Sequence, residues 1–293
     1  MIKYKGIGYM LIASFGFAAM GLFVKKLGHD FDSVQIVLFR NLTGVAFILF
    51  SILTKPLKNE GGKPLLLLFR GLIGTISLYA FAYNLTHTSL GEAFTFYQTS
   101  TFFIAFFSHF FLHQHLNRSG WLALIVGFLG IIVIFRPDIA LFRINNLMGL
   151  INGGLSAAAY LSVSELKKYY ETRSIVLSFM CWGILLPLIS MIIGHYNYNP
   201  ALDFMLSQPK VPSIHHLFDI VAVGFAALIG QFYATQAYGI EKAGIVSAIS
   251  YSNIVFSIFL GLLVGDKFPD ALTFLGMTLI VVSGLMVSLG KRE

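Results

Sequence analysis

Two stretches of the sequence resemble each other: YAFAYNLTHTSLGEAFTFYQTSTFFIAFF at residues 79–107 and ATQAYGIEKAGIVSAISYSNIVFSIFLGLL at residues 234–263. Each stretch contains two apolar segments that are joined by a short turn. When the turns are aligned, Gln98 of the first stretch matches Asn253 of the second. Two apolar stretches can look alike by chance, but the shared turn and the matched polar pair favour an internal repeat.

The rest of the chain extends this pattern to ten apolar segments. Hydrophobic residues make up 57% of the sequence and charged residues 11%, whereas soluble domains average about 25% charged residues. A helix needs about 20 mostly apolar residues to cross the hydrocarbon layer of a membrane. The predicted spans are 6–24, 34–53, 65–85, 88–111, 119–135, 147–164, 174–194, 217–240, 243–264 and 271–289.

An odd number of spans in each half has a geometric consequence. A half that crosses the membrane five times ends on the side opposite to its start, so the second half is inverted relative to the first. We therefore predict an all-α membrane protein with ten transmembrane helices in two inverted five-helix repeats, residues 1–137 and 138–293. Inverted repeats of this kind are typical of alternating-access transporters.

The positive charges predict the orientation. The net charge is +7, but the Lys and Arg residues lie in short loops instead of forming one basic face, so we predict no nucleic-acid partner. With the amino terminus inside, twelve lie on the cytoplasmic side and six outside, and Arg40 and Arg70 within spans complete the twenty. Cytoplasmic loops carry the excess of Lys and Arg, so both termini are predicted to be cytoplasmic.

Further motifs resemble the EamA-type branch of the drug/metabolite transporter superfamily. They are Phe39-Arg40-Asn41 at the opening of span two, the Arg-Gly-x-x-Gly-Thr run at Arg70–Thr75, and the Gly-Asp step at Gly265–Asp266. The resemblance covers nearly the whole chain and implies a transporter fold without specifying a substrate. Family members often have a proline in the middle of spans four and nine, which this chain lacks, and the first Gly-Glu step reads His113–Gln114.

The matched polar pair predicts a binding site. Thr95 and Gln98 are three residues apart, as are Ser250 and Asn253, so each pair shares one face of its helix. Transporter sites lie near mid-membrane at the interface between the repeats, and we predict that these four residues bind the substrate. The alternative is that they form interhelical hydrogen bonds that only hold the helices together.

Other spans add polar and aromatic groups that suit an amphipathic organic solute. Residues predicted to bind the substrate from spans three, seven and eight are Tyr79, Tyr83, Trp182, Gln231 and Tyr238. A polar face of span six carries Asn152, Ser156 and Tyr160. For each of these residues, helix packing is the competing interpretation.

Three charged residues within spans have two interpretations each. Arg40 and Arg70 can extend toward lipid headgroups along their methylene stems, or face a cavity and bind a carboxylate or phosphate as a fork. We include both in the predicted site. Glu92 aligns with Ser247 inside span nine, which makes it a candidate for proton coupling because an intramembrane acid is often functional. Its alternative role is to complement the dipole at the start of its helix.

These observations predict a secondary active transporter of the bacterial inner membrane. It would move a small amphipathic metabolite, such as an amino acid or related compound, by alternating access, with proton coupling as one option. The alternatives are a flippase for a lipid-linked sugar and a membrane subunit without transport activity. The expected partners are the solute and the lipid bilayer, and no oligomer is required.

We predict that the chain is not an enzyme and holds no metal or cofactor. Ser108 and His109 are neighbours whose side chains point about 100° apart on a helix, so they do not form a catalytic dyad. His109 and His113 have the spacing of a metal pair, but no Cys or acidic residue is adjacent, and interfacial histidines are the preferred interpretation. Gly61–Lys63 lacks the first glycine and the Ser/Thr of a phosphate-binding loop.

Overall fold

The computed structural model describes residues 5–111, 118–135, 144–241, 245–246 and 249–290. Besides the helical residues 245–246 and 249, we number ten α-helices in chain order within these ranges. They are α1 (Lys5–Leu27), α2 (Ser33–Thr54), α3 (Pro64–His87), α4 (Leu90–Phe111), α5 (Arg118–Phe135), α6 (Ile144–Leu166), α7 (Thr172–Tyr196), α8 (Leu217–Ile240), α9 (Ser252–Leu263) and α10 (Ala271–Gly290). Two short 3₁₀ turns, Pro200–Leu202 and Ile214–His216, lie between α7 and α8.

Local sequence explains several helix ends. Asp32 precedes α2, and its side chain accepts a 2.9 Å hydrogen bond from the Gln35 backbone nitrogen, which satisfies a free N–H of the first turn. Pro64 opens α3, where its fixed φ suits the first helical position. Gly265 follows α9 with a φ of +90°, a left-handed conformation that glycine adopts without steric cost.

Nine predicted spans agree with helices to within three residues at each end. The predicted span 243–264 is helical at residues 245–246 and 249 and again in α9 from Ser252, with a turn at residues 250–251 between them. Just before and at the start of α9, the Asn253 nitrogen bonds to the Ser250 oxygen at 2.9 Å and the Ile254 nitrogen to the Tyr251 oxygen at 3.0 Å. These i to i−3 bonds are of the 3₁₀ type, which interrupts the α-helical hydrogen-bond ladder.

The described surface is that of a membrane protein. Among the described residues, six helical stretches are long and apolar enough to cross a membrane, namely α1, α2, α3, α6, α7 and the stretch Ile214–Ile240 that contains α8. Large apolar side chains point outward, for example Leu53 and Leu65, which are 83% and 80% exposed. Contiguous apolar surface of this extent is rare on soluble monomers and marks contact with lipid or protein.

The helices pack mainly in pairs across the two halves of the chain. The most extensive contacts join α1 with α8, α5 with α10, α3 with α6, α4 with α6, and α2 with α7. Glycines allow the closest approaches: a Cβ added to Gly16 of α1 would lie 2.9 Å from the Gly230 nitrogen of α8. On α5, a Cβ added to Gly130 would lie 2.9 Å from the Gly276 oxygen of α10. Small residues at helix crossings are typical of membrane bundles.

Several residues of the sequence-based predictions lie outside the described residues. They are His113, Gln114 and Ser247, and the side chains of Ser108 and His109 also lie outside the described part of the chain. Among the described residues, no group of three His, Cys, Asp or Glu residues is placed to hold a metal ion.

Candidate functional site

A mainly apolar cavity with several polar groups lies in the middle of the bundle, where α1, α2, α3, α4, α6, α7 and α8 meet. Its volume is about 40 Å³, which is enough for a few water molecules but too small for an organic solute. Phenylalanine rings and other apolar side chains form much of the wall. The lining residues with polar groups are Arg40, Arg70, Ser77, Tyr97, Asn152, Ser156, Tyr160 and Gln231.

Arg40 and Arg70 both face this cavity, and each is only 2% exposed. Their guanidinium carbons lie 5.4 Å and 4.9 Å from the centre of the Phe179 ring. The two carbons are therefore at most about 10 Å apart, the sum of those distances. Such distances allow cation–π contacts with the shared ring. The cavity interpretation of both arginines thus has a geometric basis, whereas extension to lipid headgroups does not fit their burial.

No carboxylate compensates the two arginines among the described residues. Arg40 donates to the Asn41 side-chain oxygen at 2.9 Å and to the Met20 sulfur at 3.2 Å. The Nε and Nη1 atoms of Arg70 have no hydrogen-bond partner in the described part of the chain. Two cations at most about 10 Å apart repel each other by at least about 1.7 kcal/mol at an effective dielectric constant of about 20. Burying a charge without a partner costs free energy. A negatively charged group in the cavity would reduce that cost.

The position of Arg70 depends on a glycine one helical turn later. A Cβ at position 74 would clash with the Arg70 Nη1 atom and crowd the Phe179 ring. Because Gly74 has no Cβ, these two groups can occupy that space. Residues four apart lie on the same helix face, so this glycine lets the Arg70 side chain lie along α3 against α7. The Arg-Gly-x-x-Gly run therefore shapes the cavity wall.

Hydroxyl and amide groups in other parts of the cavity wall are held by hydrogen bonds. The Ser77 hydroxyl lies 2.8 Å from the Ser156 hydroxyl, and the Asn152 amide donates to the Ser77 oxygens at 3.0 Å. The Tyr97 hydroxyl donates to the Tyr160 hydroxyl at 2.9 Å. These contacts join α3 and α4 to α6, and the Asn152 Oδ1 atom has no partner among the described residues. Buried polar networks of this kind fix side-chain positions.

Gln231 also reaches the cavity, from α8. Its amide nitrogen lies 3.3 Å from the Thr235 hydroxyl one turn later on the same helix. Gln231 is 3% exposed, and its amide is thereby oriented within the cavity wall. Together with Arg40 and Arg70, Gln231 is the part of the predicted site that the structure brings together.

The matched polar pair lies elsewhere. Gln98 donates to the Ser250 hydroxyl at 2.8 Å, and Thr95 donates to the Gly91 oxygen of its own helix at 2.6 Å. Asn253 is fully buried, and its side-chain amide has no partner among the described residues. None of these four side chains is among the described residues that line the cavity. They lie in the packed contact between α4 and the beginning of α9.

The predicted tyrosines of α3 lie beside the cavity, toward the end predicted to be extracellular. The Tyr79 hydroxyl lies 3.2 Å from the Ser190 hydroxyl of α7. Tyr83 stacks on His87 with ring centres 4.0 Å apart. Both side chains therefore have packing partners outside the cavity lining.

Trp182 and Tyr238 form a second layer behind the cavity wall. The Trp182 ring packs against α3 at Gly71, where a Cβ would clash with the ring. Tyr238 stacks on the cavity residue Tyr160 with ring centres 4.6 Å apart. These two residues support the wall by packing, and neither is among the described lining residues.

Glu92 lies at the beginning of α4. The Ser89 nitrogen lies 3.3 Å from a Glu92 carboxylate oxygen, and the Glu92 nitrogen lies 3.2 Å from the Ser89 hydroxyl. This reciprocal arrangement is a capping box, which satisfies free N–H groups at a helix start. The geometry favours the helix-start interpretation of Glu92 that the sequence left open.

Sequence reasoning missed the aromatic part of the cavity. Phe179 contacts both arginines, and Tyr97 bonds to Tyr160, yet neither residue stood out in a sequence with 29 Phe and 13 Tyr. The sequence contained one indication of the role of Tyr97, namely its position next to Gln98. Neighbouring side chains on a helix point about 100° apart, so these two residues face different sides. That offset places Tyr97 toward the cavity and Gln98 toward α9.

A family comparison defines the class of protein. Residues 4–136 match the model of the EamA-like transporter family. The first part of the chain matches this family's model, and the match confirms the resemblance that the sequence motifs indicated.

Particular relatives extend over almost the whole chain. An uncharacterized transporter of Helicobacter pylori is 29% identical over 97% of this chain and 94% of its own. The pseudopaline exporter CntI of Pseudomonas aeruginosa is 29% identical, covering 98% and 97%. An S-adenosylmethionine uptake transporter of Rickettsia conorii is 21% identical, covering 98% and 94%. These relatives are named as transporters, which agrees with the prediction that the chain is not an enzyme.

A solved crystal structure has the same fold. It superimposes with a TM-score of 0.63 at 18% identity and covers 95% of this chain and 97% of the other. At this identity the similarity concerns the fold alone. The described chain thus has a helical membrane-protein fold with a mainly apolar central cavity, and the family match and the relatives support a membrane transporter.

Proposed function

We propose that the protein is a secondary active transporter that moves a small amphipathic metabolite across the bacterial inner membrane by alternating access. The observation that carries this proposal is the central cavity, in which two buried arginines lie between helices from both halves of the chain. A concave site with few polar groups in an apolar wall suits a small organic solute. The names of the relatives include both an exporter and an uptake transporter, so an amino acid or related compound could move in either direction.

The helix contacts support ten spans in two inverted repeats, residues 1–137 and 138–293. If the repeats are exchanged, helix n of the first half becomes helix n+5 of the second. The contact between α1 and α8 then becomes that between α6 and α3, and both are extensive. The contact between α3 and α7 likewise becomes that between α8 and α2. This reciprocity is expected for a pseudo-two-fold axis in the membrane plane.

The loops at the two ends of the bundle follow the same exchange. At one end, Ser207 of the α7–α8 loop donates to Asp32, which precedes α2, at 2.7 Å. At the other end, Glu171 precedes α7, and its nitrogen donates to Asn59 of the α2–α3 loop at 3.0 Å. With cytoplasmic termini, the first contact lies outside and the second inside the cell.

The small volume of the cavity supports a mechanism in which the helices move. Because about 40 Å³ does not admit an organic solute, the helices must separate for the solute to enter and leave. One connection that would have to change lies at the predicted outer end, where Asp266 pairs with Lys25 and accepts a 2.8 Å bond from the Leu90 nitrogen. We propose that Arg40, Arg70 and Gln231 bind the substrate, and that Gln98 and Ser250 help hold the closed arrangement.

A flux assay tests the proposed function. The purified protein is reconstituted into liposomes, and the uptake of a metabolite panel is compared with that of protein-free liposomes. We expect at least one organic solute to move faster with the protein present. If no solute moves and none shifts the thermal midpoint of the purified protein, the transport proposal is wrong.

Proton coupling is the finer part of the proposal, with Glu92 as its candidate residue. The assay is repeated with and without a proton gradient, using the wild-type chain and Glu92→Gln. Coupling through Glu92 requires that the gradient drive solute accumulation in the wild type and not in the variant. Flux that ignores the gradient would leave Glu92 with the capping role that its bonds to Ser89 support.

A further inference from the structure

We propose that the solute is an organic anion whose carboxylate or phosphate oxygens bind between Arg40 and Arg70 in the central cavity. This inference rests on the proposed transport function and narrows its substrate to a chemical class. The two guanidinium groups share the Phe179 ring and lie within about 10 Å of each other, the sum of their distances to it. One anionic group with several oxygens can therefore contact both.

The first observation that supports an anionic solute is the positive charge of the cavity. The described lining contains two arginines and no Asp or Glu. The described acidic residues lie in loops or near helix ends, such as Glu92 in the first turn of α4 and Asp219 in the first turn of α8. None of the ion pairs between described residues includes Arg40 or Arg70. A buried cation without a protein counter-ion is stabilised when an anionic ligand supplies one.

The second observation is that Arg70 has hydrogen-bond donors without a partner among the described residues. Its Nε and Nη1 atoms are buried and unpartnered within the described chain, and the side chain faces the cavity. A guanidinium group binds a carboxylate or phosphate through two parallel N–H donors. Arg40 already donates to Asn41 and Met20, so its orientation is set before a ligand arrives.

The remaining wall suits the rest of such a molecule. Phe17, Phe81 and Phe94 offer apolar contacts, while Tyr160 and Asn152 offer polar groups. An inorganic anion would leave this apolar part of the site unused. We therefore assign the site to an organic anion with an apolar portion, and a zwitterion with a free carboxylate belongs to the same class.

Stability separates a ligand-binding arginine from a structural one. Because Arg70 is buried with unpartnered donors, Arg70→Met should raise the thermal midpoint of the empty protein in detergent. An arginine that holds the fold together would give a lower midpoint when replaced, and that result would overturn the assignment. Lys26→Gln removes one positive charge from an exposed position and should leave the midpoint unchanged.

Binding is measured by the shift of the thermal midpoint with matched probes. Phenylacetate, benzyl phosphate and L-phenylalanine carry the anionic group, whereas phenylacetamide, phenethylamine and L-phenylalaninamide lack it. We expect a shift with at least one anionic probe and none with its uncharged or cationic counterpart. Which probe binds distinguishes a carboxylate ligand from a phosphate ligand.

The variants connect that shift to the two arginines. Replacing a donor in a charge-assisted bond should raise the half-saturating concentration about tenfold or more in Arg40→Gln and Arg70→Gln. The Lys26→Gln control should bind like the wild type. Equal binding of the amide or amine probes, no shift with any anionic probe, or unchanged half-saturation in Arg70→Gln would overturn the proposal. Liposome flux of a solute without an anionic group would overturn it while leaving the transport function intact.

Discussion

At the scale of single residues, Gly74 determines the position of the Arg70 side chain although it has no side chain of its own. The space where its Cβ would lie is occupied by the Arg70 guanidinium group and by the Phe179 ring, the nearest ring atom being 3.0 Å away. The glycine therefore determines where the buried charge lies, although it has no group that could bind a solute. The sequence contains this information only as the spacing between Arg70 and Gly74.

We expect Gly74→Ala to weaken transport or ligand binding about tenfold to a hundredfold, since small displacements of a binding group have large effects. The new methyl group must push the Arg70 side chain away from the Phe179 ring. The measurement is the half-saturating concentration of any solute found in the flux assay. Gly154→Ala is the matched control, because a Cβ at Gly154 meets no atom within 4 Å. Equal losses in both variants would contradict this account.

At the scale of helices, close backbone contact holds α1 and α8 together. A Cβ on Gly16 would lie 2.9 Å from the Gly230 nitrogen and 3.1 Å from the Ala226 oxygen. Backbone atoms cannot move away as a flexible side chain can, so the two helices would have to separate. Because α1 and α8 both line the cavity, this contact also affects the shape of the site.

We expect Gly16→Ala to lower the thermal midpoint of the purified protein, because overpacking typically costs about 1–3 kcal/mol. Gly8→Ala in the same helix is the control, since a Cβ at Gly8 meets nothing within 4 Å. Alanine has the higher helix propensity, so the control should be neutral or slightly more stable. A Gly16→Ala protein as stable as the control would show that the α1–α8 contact is looser than described.

We expect the contact between the α2–α3 and α6–α7 loops to depend on pH. Hydrogen bonding from Arg173, at 2.8 Å, lowers the pKa of Glu171 from its ordinary value. Because the folded-state pKa is lowered, this interaction stabilises the fold above the ordinary pKa and is lost as the pH falls below it. We therefore expect the thermal midpoint to drop less between neutral and acidic pH in Glu171→Gln than in the wild type.

The size of that difference should be modest, since exposed ion pairs contribute little. Glu60→Gln removes an exposed carboxylate from the same group of loops and serves as the control. Its pH dependence should follow the wild type more closely than that of Glu171→Gln. If the two variants respond identically, the pairing of Glu171 with Arg173 has no measurable role in the fold.

At the scale of the whole molecule, the apolar runs predicted the helices well, and the polar residues within them predicted the site only in part. Runs of apolar residues located nine helices because membrane spans have a fixed minimum length. The turn at residues 250–251, inside the remaining predicted span, was not foreseen because i to i−3 hydrogen bonds leave no mark in hydropathy. The repeat placed Gln98 and Asn253 at corresponding positions, but the structure pairs Gln98 with Ser250.

The cavity itself could not be predicted from the sequence alone. It forms where seven helices meet, and their rotations about their own axes decide which side chains face it. Arg40 and Arg70 were identifiable because charge within a span is rare. Phe179 and Tyr97 were not, because aromatic residues are frequent throughout this chain.

The most direct test of the central claim is solute flux in liposomes that contain the wild type, Arg70→Gln or Lys26→Gln. The panel includes organic anions, zwitterions and neutral compounds, and protein-free liposomes give the background. The account predicts saturable flux of an organic anion or zwitterion in the wild type and in Lys26→Gln, slower by about tenfold or more in Arg70→Gln. Flux at the background rate for every solute, or equal flux in Arg70→Gln and the wild type, would contradict transport through this cavity.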